Sequence, residues 1–257
     1  MLKKIEIIPI YIDSQIKPTS NIVDTFLKAI KEKNNNRQTL ENGDIIVLAQ
    51  KIVSKNERRV IDLDDIIPSH KSIDLSKQVD KDPRIIELIL QESHKIIRIF
   101  NNIIIAETHH GFICANAGID QSNVSNKKDQ VLLLPINPDK SAESIRKEIY
   151  QKTRKQVAVL ITDTFGRPFR MGQTNVAIGI AGINPLKSYK GKHDMFGKIL
   201  RVTEIAIVDE IAGAAELVMG KTEGIPIAIV RNVNYSKRNS SITKIIRKEK
   251  KDIFRRI

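Results

Sequence analysis

Short apolar runs separated by polar turns set the rhythm of this chain. Ile5 to Ile12 alternates weakly around Pro9 and predicts a strand, and a polar loop from Asp13 to Ser20 then leads into a helix from about Asn21 to Lys33. The turn Gly43-Asp44 launches Ile45-Ile46-Val47-Leu48-Ala49, an unbroken apolar run of the kind found in strands buried on both faces. Asp82-Pro83 predicts a helix start, with Ile85, Ile86, Ile89 and Leu90 as its apolar stripe and the proline in the first turn, where no hydrogen bond is lost. Ile96 to Ile105 reads as paired strands around the turn Asn101-Asn102.

The second half repeats the alternation. Val131-Leu132-Leu133-Leu134-Pro135 ends a strand, and Ser141-Ala142-Glu143-Ser144 predicts a helix start leading towards Thr153. Val157 to Ile161 predicts a strand that delivers Asp163 into a polar turn. Val176 to Ile183, Val202 to Ile207 and Ile225 to Val230 read as further strands, and Asp209 to Met219 as an alanine-rich helix. Strands and helices mingle without a strict βαβ rhythm, so the expected class is α/β or α+β, with mixed sheets and flanking helices. No internal repeat or long linker divides the chain.

Composition narrows the partners. A chain of 257 residues can bury a substantial core as one domain or two associated lobes, and 41% hydrophobic with 28% charged residues is globular usage. No apolar stretch approaches the roughly 20 residues of a membrane span, and Met1-Leu2-Lys3-Lys4-Ile5-Glu6 lacks a secretory apolar segment. The expectation is a cytoplasmic protein with no membrane partner. Cys114, the sole cysteine, excludes an internal disulfide framework and a cysteine-cluster zinc site, and is read as a packed residue. A formal net charge of +13 favours anionic partners. With 4% aromatic residues, no tryptophan and no reader motif, nucleic acid ranks below a phosphorylated small molecule. The lysine-rich segments Lys147 to Lys155 and Lys237 to Arg256 read as solvated faces.

Candidate chemistry gathers in two polar segments, Ala115 to Asn123 and Thr162 to Arg170. Asp163 and Thr164 follow a buried strand, where α/β sheets commonly present ligand groups, and magnesium needs only one or two protein carboxylates. Asp120 and Asp163 together would suffice, although either alone also suits a turn or a cap. Arg167 and Arg170 offer planar forks to an anion or simply edge a surface loop. Lys51 and Lys55 would place two ammonium groups near one phosphate if helical. Gly220-Lys221-Thr222 is not a P-loop, because Ala215 stands where the earlier glycine belongs and a helix precedes the glycine. Gly220 then reads as a helix cap or as part of a phosphate-facing turn. His193-Asp194 is a candidate acid/base pair, and His109-His110 is read as structural.

Taken in order, several segments resemble the coenzyme F420-0:γ-glutamyl ligase family. They are Gly43-Asp44 with Val53-Ser54-Lys55, Cys114 to Asp120 with Ser122-Asn123, Leu133-Leu134-Pro135 with Asp139, Asp163 to Pro168, Ala177 to Gly182, and Ala214 to Lys221. The resemblance implies GTP-dependent amide formation between L-glutamate and coenzyme F420-0, releasing GDP and phosphate. It also implies a family-specific fold, an intertwined homodimer, one or two magnesium or manganese ions, and potassium as an aid. By position, Asp120, Asp163 and Thr164 match the metal ligands. Asp13, Ser14, Gln15, Ile16, Gln50, Lys51, Lys55, Asn123 and the turn Met219, Gly220, Lys221, Thr222, Glu223, Gly224 and Ile225 match nucleotide-contacting positions. The resemblance assigns no general base. Lys221 stands where some members carry an acidic residue, with Glu223 as a substitute. One catalytic unit over 1–257 is expected, without the reductase-like domain of some members.

Overall fold

The computed structural model describes residues 4–12, 16–33, 39–124 and 129–253. The first half runs β1 (Glu6–Ile10), α1 (Ile22–Lys33), β2 (Ile45–Ala49), α2 (Gln50–Asn56), β3 (Val60–Asp62), α3 (His70–Val79), α4 (Pro83–Gln91), β4 (Ser93–Phe100), β5 (Ile103–Thr108) and β6 (Ile113–Ala115). The second half follows with β7 (Gln130–Leu132), α5 (Pro138–Thr153), β8 (Ala158–Arg167), β9 (Arg170–Ala181), β10 (Lys187–Ser188), β11 (Glu204–Ile205), α6 (Ile207–Met219) and β12 (Ile227–Arg231).

The expected mixed sheet forms from five strands in the order β1-β12-β2-β8-β9. Only β2 and β8 are parallel, and every other neighbouring pair is antiparallel. Both central strands are apolar on both faces because both faces are covered: Ile45 to Leu48 and Ala158 to Ile161 are buried. A core of isoleucine, valine and leucine surrounds this sheet, each fully buried side chain contributing about 1.5–3 kcal/mol. A second cluster joins Val79, Ile86, Leu88 and Ile89 to Ile104 and Ala106 of the three-stranded sheet β4-β5-β6. Among the described residues no helix is long and apolar enough to cross a membrane.

Three expectations need correction. Helix α5 begins at Pro138 rather than near Ser141, because the Asn137 side chain accepts the Lys140 amide at 3.0 Å as N-cap and Pro138 takes the first position. The strand expected over Val202 to Ile207 shrinks to the two-residue β11, since Ile207 already opens α6. Thr162 to Arg167 is not a turn: β8 continues through it, and the chain reverses only at Pro168-Phe169. Hydrogen bonds to β9 explain this, because the sister strand pairs as far as Arg167 opposite Arg170. The Asn101-Asn102 hairpin forms as expected, with Asn101 left-handed at φ 49.

Candidate active site

The parallel pair β2–β8 positions the site. Ala49, the last residue of β2, lies opposite Thr162, so β8 carries Asp163 and Thr164 just past the end of its parallel neighbour. Helix α2 begins at once after Ala49, and its second and sixth residues, Lys51 and Lys55, face the segment Asp120 to Asn123. The expectation that both lysines share one helical face is met.

Asp120 arrives from the other direction. After β6, Asn116, Ala117 and Gly118 all take positive φ, at 51, 55 and 72. Only glycine suits the last position, because a Cβ there would lie 2.9 Å from Leu134 Cδ1 and Cγ. The next turn of chain is pinned by reciprocal backbone bonds between Asp120 and Leu132, at 2.9 and 2.8 Å. The Asp120 carboxylate then accepts from the Ser122 amide and hydroxyl, both at 2.8 Å, and pairs with Lys51 Nζ at 2.5 Å. Burial works against its charge, but Lys51 and Ser122 outweigh burial and hold its pKa below the usual carboxylate range.

Asp163 behaves oppositely. Burial raises its pKa to about 6, and the neighbouring Asp120 charge adds to the effect, while the Thr164 backbone amide, Lys51 and Lys221 oppose it. Burial, followed by the charge of Lys51, lowers the pKa of Lys55, whose ammonium donates to Asn123 O at 2.9 Å. Cys114 is buried beside Asp163, and its thiol is pushed up to about 12, chiefly by desolvation, so it stays protonated and inert.

Two further residues, Asn175 and Glu216, join Thr164 and Lys221 and were not named as site candidates from the sequence. The Thr164 hydroxyl donates to Asn175 Oδ1 at 2.7 Å, and the Asn175 amide donates to Glu216 Oε2 at 2.8 Å. Lys221 Nζ reaches Thr164 Oγ1 at 2.6 Å and Glu216 Oε1 at 2.9 Å. The readable signal for Asn175 was its place at the end of the polar run Gln173-Thr174-Asn175, directly before the apolar stretch Val176 to Ala181. Seeing it required the hairpin at Pro168-Phe169.

These groups line one cleft of about 900 Å³. Its walls include Asp120, Asp163, Thr164, Ile16, Gln50, Lys51, Lys55, Asn123, Met219, Gly220, Lys221, Thr222, Gly224 and Ile225. Glu223 is not among them and spends its carboxylate on the Thr222 amide and hydroxyl, both at 2.9 Å. Asp13, Ser14 and Gln15 lie outside the described residues. Gln50 lines the wall but is partly structural, since its amide donates to Ser54 Oγ at 2.7 Å and Leu133 O at 3.2 Å. Gly220 caps α6, its amide donating to Glu216 O at 3.1 Å, so the helix ends where a P-loop would begin one.

Other candidates stand apart. Arg167 and Arg170 close the hairpin tip, exposed and outside the cleft wall, with Arg167 donating to Met171 O at 3.1 Å. Asp194 accepts the amides of Phe196 and Lys198 at 2.9 and 2.8 Å, which makes it a turn former. His109 and His110 donate to the carbonyls of Gln91 and Pro135, at 2.7 and 2.9 Å, as the structural reading expects.

The donor set suits a hard divalent cation. Among the described residues no cluster of three or more His, Cys, Asp or Glu side chains forms a complete cage. Two carboxylates and a hydroxyl nevertheless match magnesium, which fills its remaining positions with water and phosphate. Thr164 has given its only proton to Asn175 and one lone pair to Lys221, so a second lone pair is left for a cation.

Comparison with known proteins identifies the family. The sequence model of F420-0:Gamma-glutamyl ligase matches residues 13–232. The coenzyme F420:L-glutamate ligase of Methanocaldococcus jannaschii is 48% identical over 84% of this chain and 86% of its own length. That of Methanococcus maripaludis strain C6 is 47% identical over the same shares, and that of Methanopyrus kandleri is 37% identical over 99% of both chains. With the family pattern spread along nearly the whole chain, this protein belongs to the F420-0:γ-glutamyl ligase family.

Proposed function

We propose that the protein is a cytoplasmic, GTP-dependent amide ligase that joins L-glutamate to coenzyme F420-0 and then adds γ-linked glutamates to the growing tail. The homodimer implied by the family is part of this reading. The observation that carries it is the meeting of Asp120 and Asp163 with Lys51, Lys55 and Lys221 in one cleft.

A carboxylate resists attack by an amine because its oxygen is a poor leaving group. In the proposed route a carboxylate oxygen of the coenzyme attacks the γ-phosphorus of GTP and GDP leaves. The glutamate amine then attacks the acyl carbon, loses a proton and expels phosphate. Such transfer depends on positioning and charge stabilisation rather than on an enzyme nucleophile, and Cys114 is accordingly inert. Asp120, Asp163 and Thr164 would hold magnesium or manganese, which offsets charge on the transferring phosphoryl group. Potassium is a further aid in this reading. Lys51, Lys55 and the turn from Met219 to Ile225 would hold the triphosphate, with Ile16, Gln50 and Asn123 at its flanks.

The test incubates the protein with coenzyme F420-0, GTP, L-glutamate and manganese and follows the products by mass spectrometry. Glutamyl-extended coenzyme with equimolar GDP supports the proposal, and its absence sinks it.

A further inference from the structure

The ammonium of Lys221 occupies a built seat. It lies 2.6 Å from Thr164 Oγ1, 2.9 Å from Glu216 Oε1 and 3.4 Å from Asn175 Oδ1. These oxygens come from β8, α6 and β9, and Gly220, at φ 56, folds the chain back after α6 so that Lys221 returns over Glu216. Each oxygen is oriented by a second bond. The Thr164 proton is committed to Asn175 Oδ1 at 2.7 Å, and the Asn175 amide holds Glu216 Oε2 at 2.8 Å. Asn175 is itself only 4% exposed, so the frame is fixed before any cation arrives. A carboxylate oxygen, a hydroxyl and an amide carbonyl are the hard donors that hold magnesium, calcium or manganese elsewhere. Here they hold a side chain.

We propose that Lys221 is a tethered cation standing in for a second metal ion, so that a divalent ion takes this seat once the ammonium is removed. The proposal rests on the ligase reading for the identity of the first cation, at Asp120 and Asp163. In that setting Lys221 supplies positive charge to the triphosphate without a second metal. Its longest contact, to Asn175, is the one that a phosphate oxygen replaces.

The test counts bound manganese by electron paramagnetic resonance, in buffer whose only monovalent cation is tetramethylammonium, with and without GTP. Lys221→Met is expected to bind one manganese ion more per chain than the wild type. The double variant Glu216→Gln with Lys221→Met is expected to return to the wild-type count, and Lys221→Arg, which keeps the charge, to remain there. Equal counts in the wild type and Lys221→Met would overturn the proposal, as would an extra ion that persists in the double variant. Lys221 is exposed at the cleft mouth, so its substitution leaves the core untouched, and circular dichroism checks this. A wild type that fails to extend the coenzyme sinks the ligase reading, whereas the ion count judges the seat separately.

Discussion

Asn175 lies directly across the β8–β9 hairpin from Thr164, and its side-chain oxygen takes the Thr164 hydroxyl proton at 2.7 Å. One amide therefore fixes the lone pairs of a candidate metal ligand on one side and the Glu216 carboxylate on the other. Asn175→Leu, similar in size, is expected to lower kcat roughly ten- to a hundredfold, as losses of partners behind metal ligands do. Leaving the buried Thr162 and half-buried Thr164 hydroxyls short of a partner should also cost about 1–3 kcal/mol in urea unfolding. A variant that loses stability but keeps kcat would show that Asn175 serves folding alone.

Asp163→Asn separates function from stability. The folded protein holds the Asp163 proton up to about pH 6, above the ordinary 3.8 of the unfolded chain. Between these values the folded state binds more protons, so this group's stabilising contribution is complete below about pH 4 and lost as the pH rises through about 6. Removing the charge should raise stability at pH 7.5 by on the order of 2–3 kcal/mol while abolishing ligation. Thermal unfolding of both proteins at pH 4 and pH 7.5 checks it: the gap between them should widen at the higher pH.

Gly118→Ala is expected to be disproportionately harmful. The position is left-handed at φ 72, and the new methyl would meet Leu134 at 2.9 Å. A loss of roughly 1–3 kcal/mol is expected for backbone strain combined with overpacking. Because this turn delivers Asp120, nucleotide affinity measured by calorimetry should weaken in the fraction that folds.

A buried ion pair holds the opposite end of the sheet. Asp44, 1% exposed, accepts from Arg231 Nε and Nη2, both at 2.8 Å. Asp44→Ala removes two charged hydrogen bonds and leaves the guanidinium with Glu41 Oε1 at 2.7 Å and Thr39 O at 2.8 Å, so it should cost about 1.5–3 kcal/mol by denaturant midpoint, more than an exposed pair such as Lys28 with Glu32. Substituting Lys28 should move the midpoint little.

Much of this was legible in the chain because continuous apolar runs and caps act locally. Ile45 to Ala49 could hardly be other than a buried strand, and Pro83 marks its helix start within one turn. The two candidate carboxylates were also visible, though only as separate polar segments. What escaped was long-range pairing. A bulge between Ile161 and Thr162 lets β8 run on through residues that look like a turn, and that extension places Asn175 opposite Thr164. Local pattern carries no information about which distant strand will satisfy a backbone amide. Nor could it show that Lys221 would fold back onto Glu216, since that depends on the unusual φ and ψ, 56 and −166, of Gly220.

The parallel pairing of β2 with β8 has one more consequence. Strands apolar on both faces receive little guidance from alternation, so a slip by one residue would keep the core greasy yet turn Asp163 to the other face. Alignment is instead set at the strands' beginnings, where Gly43 N donates to Gln156 O at 2.8 Å and Ala158 N donates to Asp44 O at 2.9 Å. The accuracy of the chemistry is therefore gauged at one edge of the protein and delivered at the other. Substitutions near Asp44 and Gln156, remote from any substrate, should surface as misaimed carboxylates, and a search for activity-altering variation belongs there as much as in the cleft.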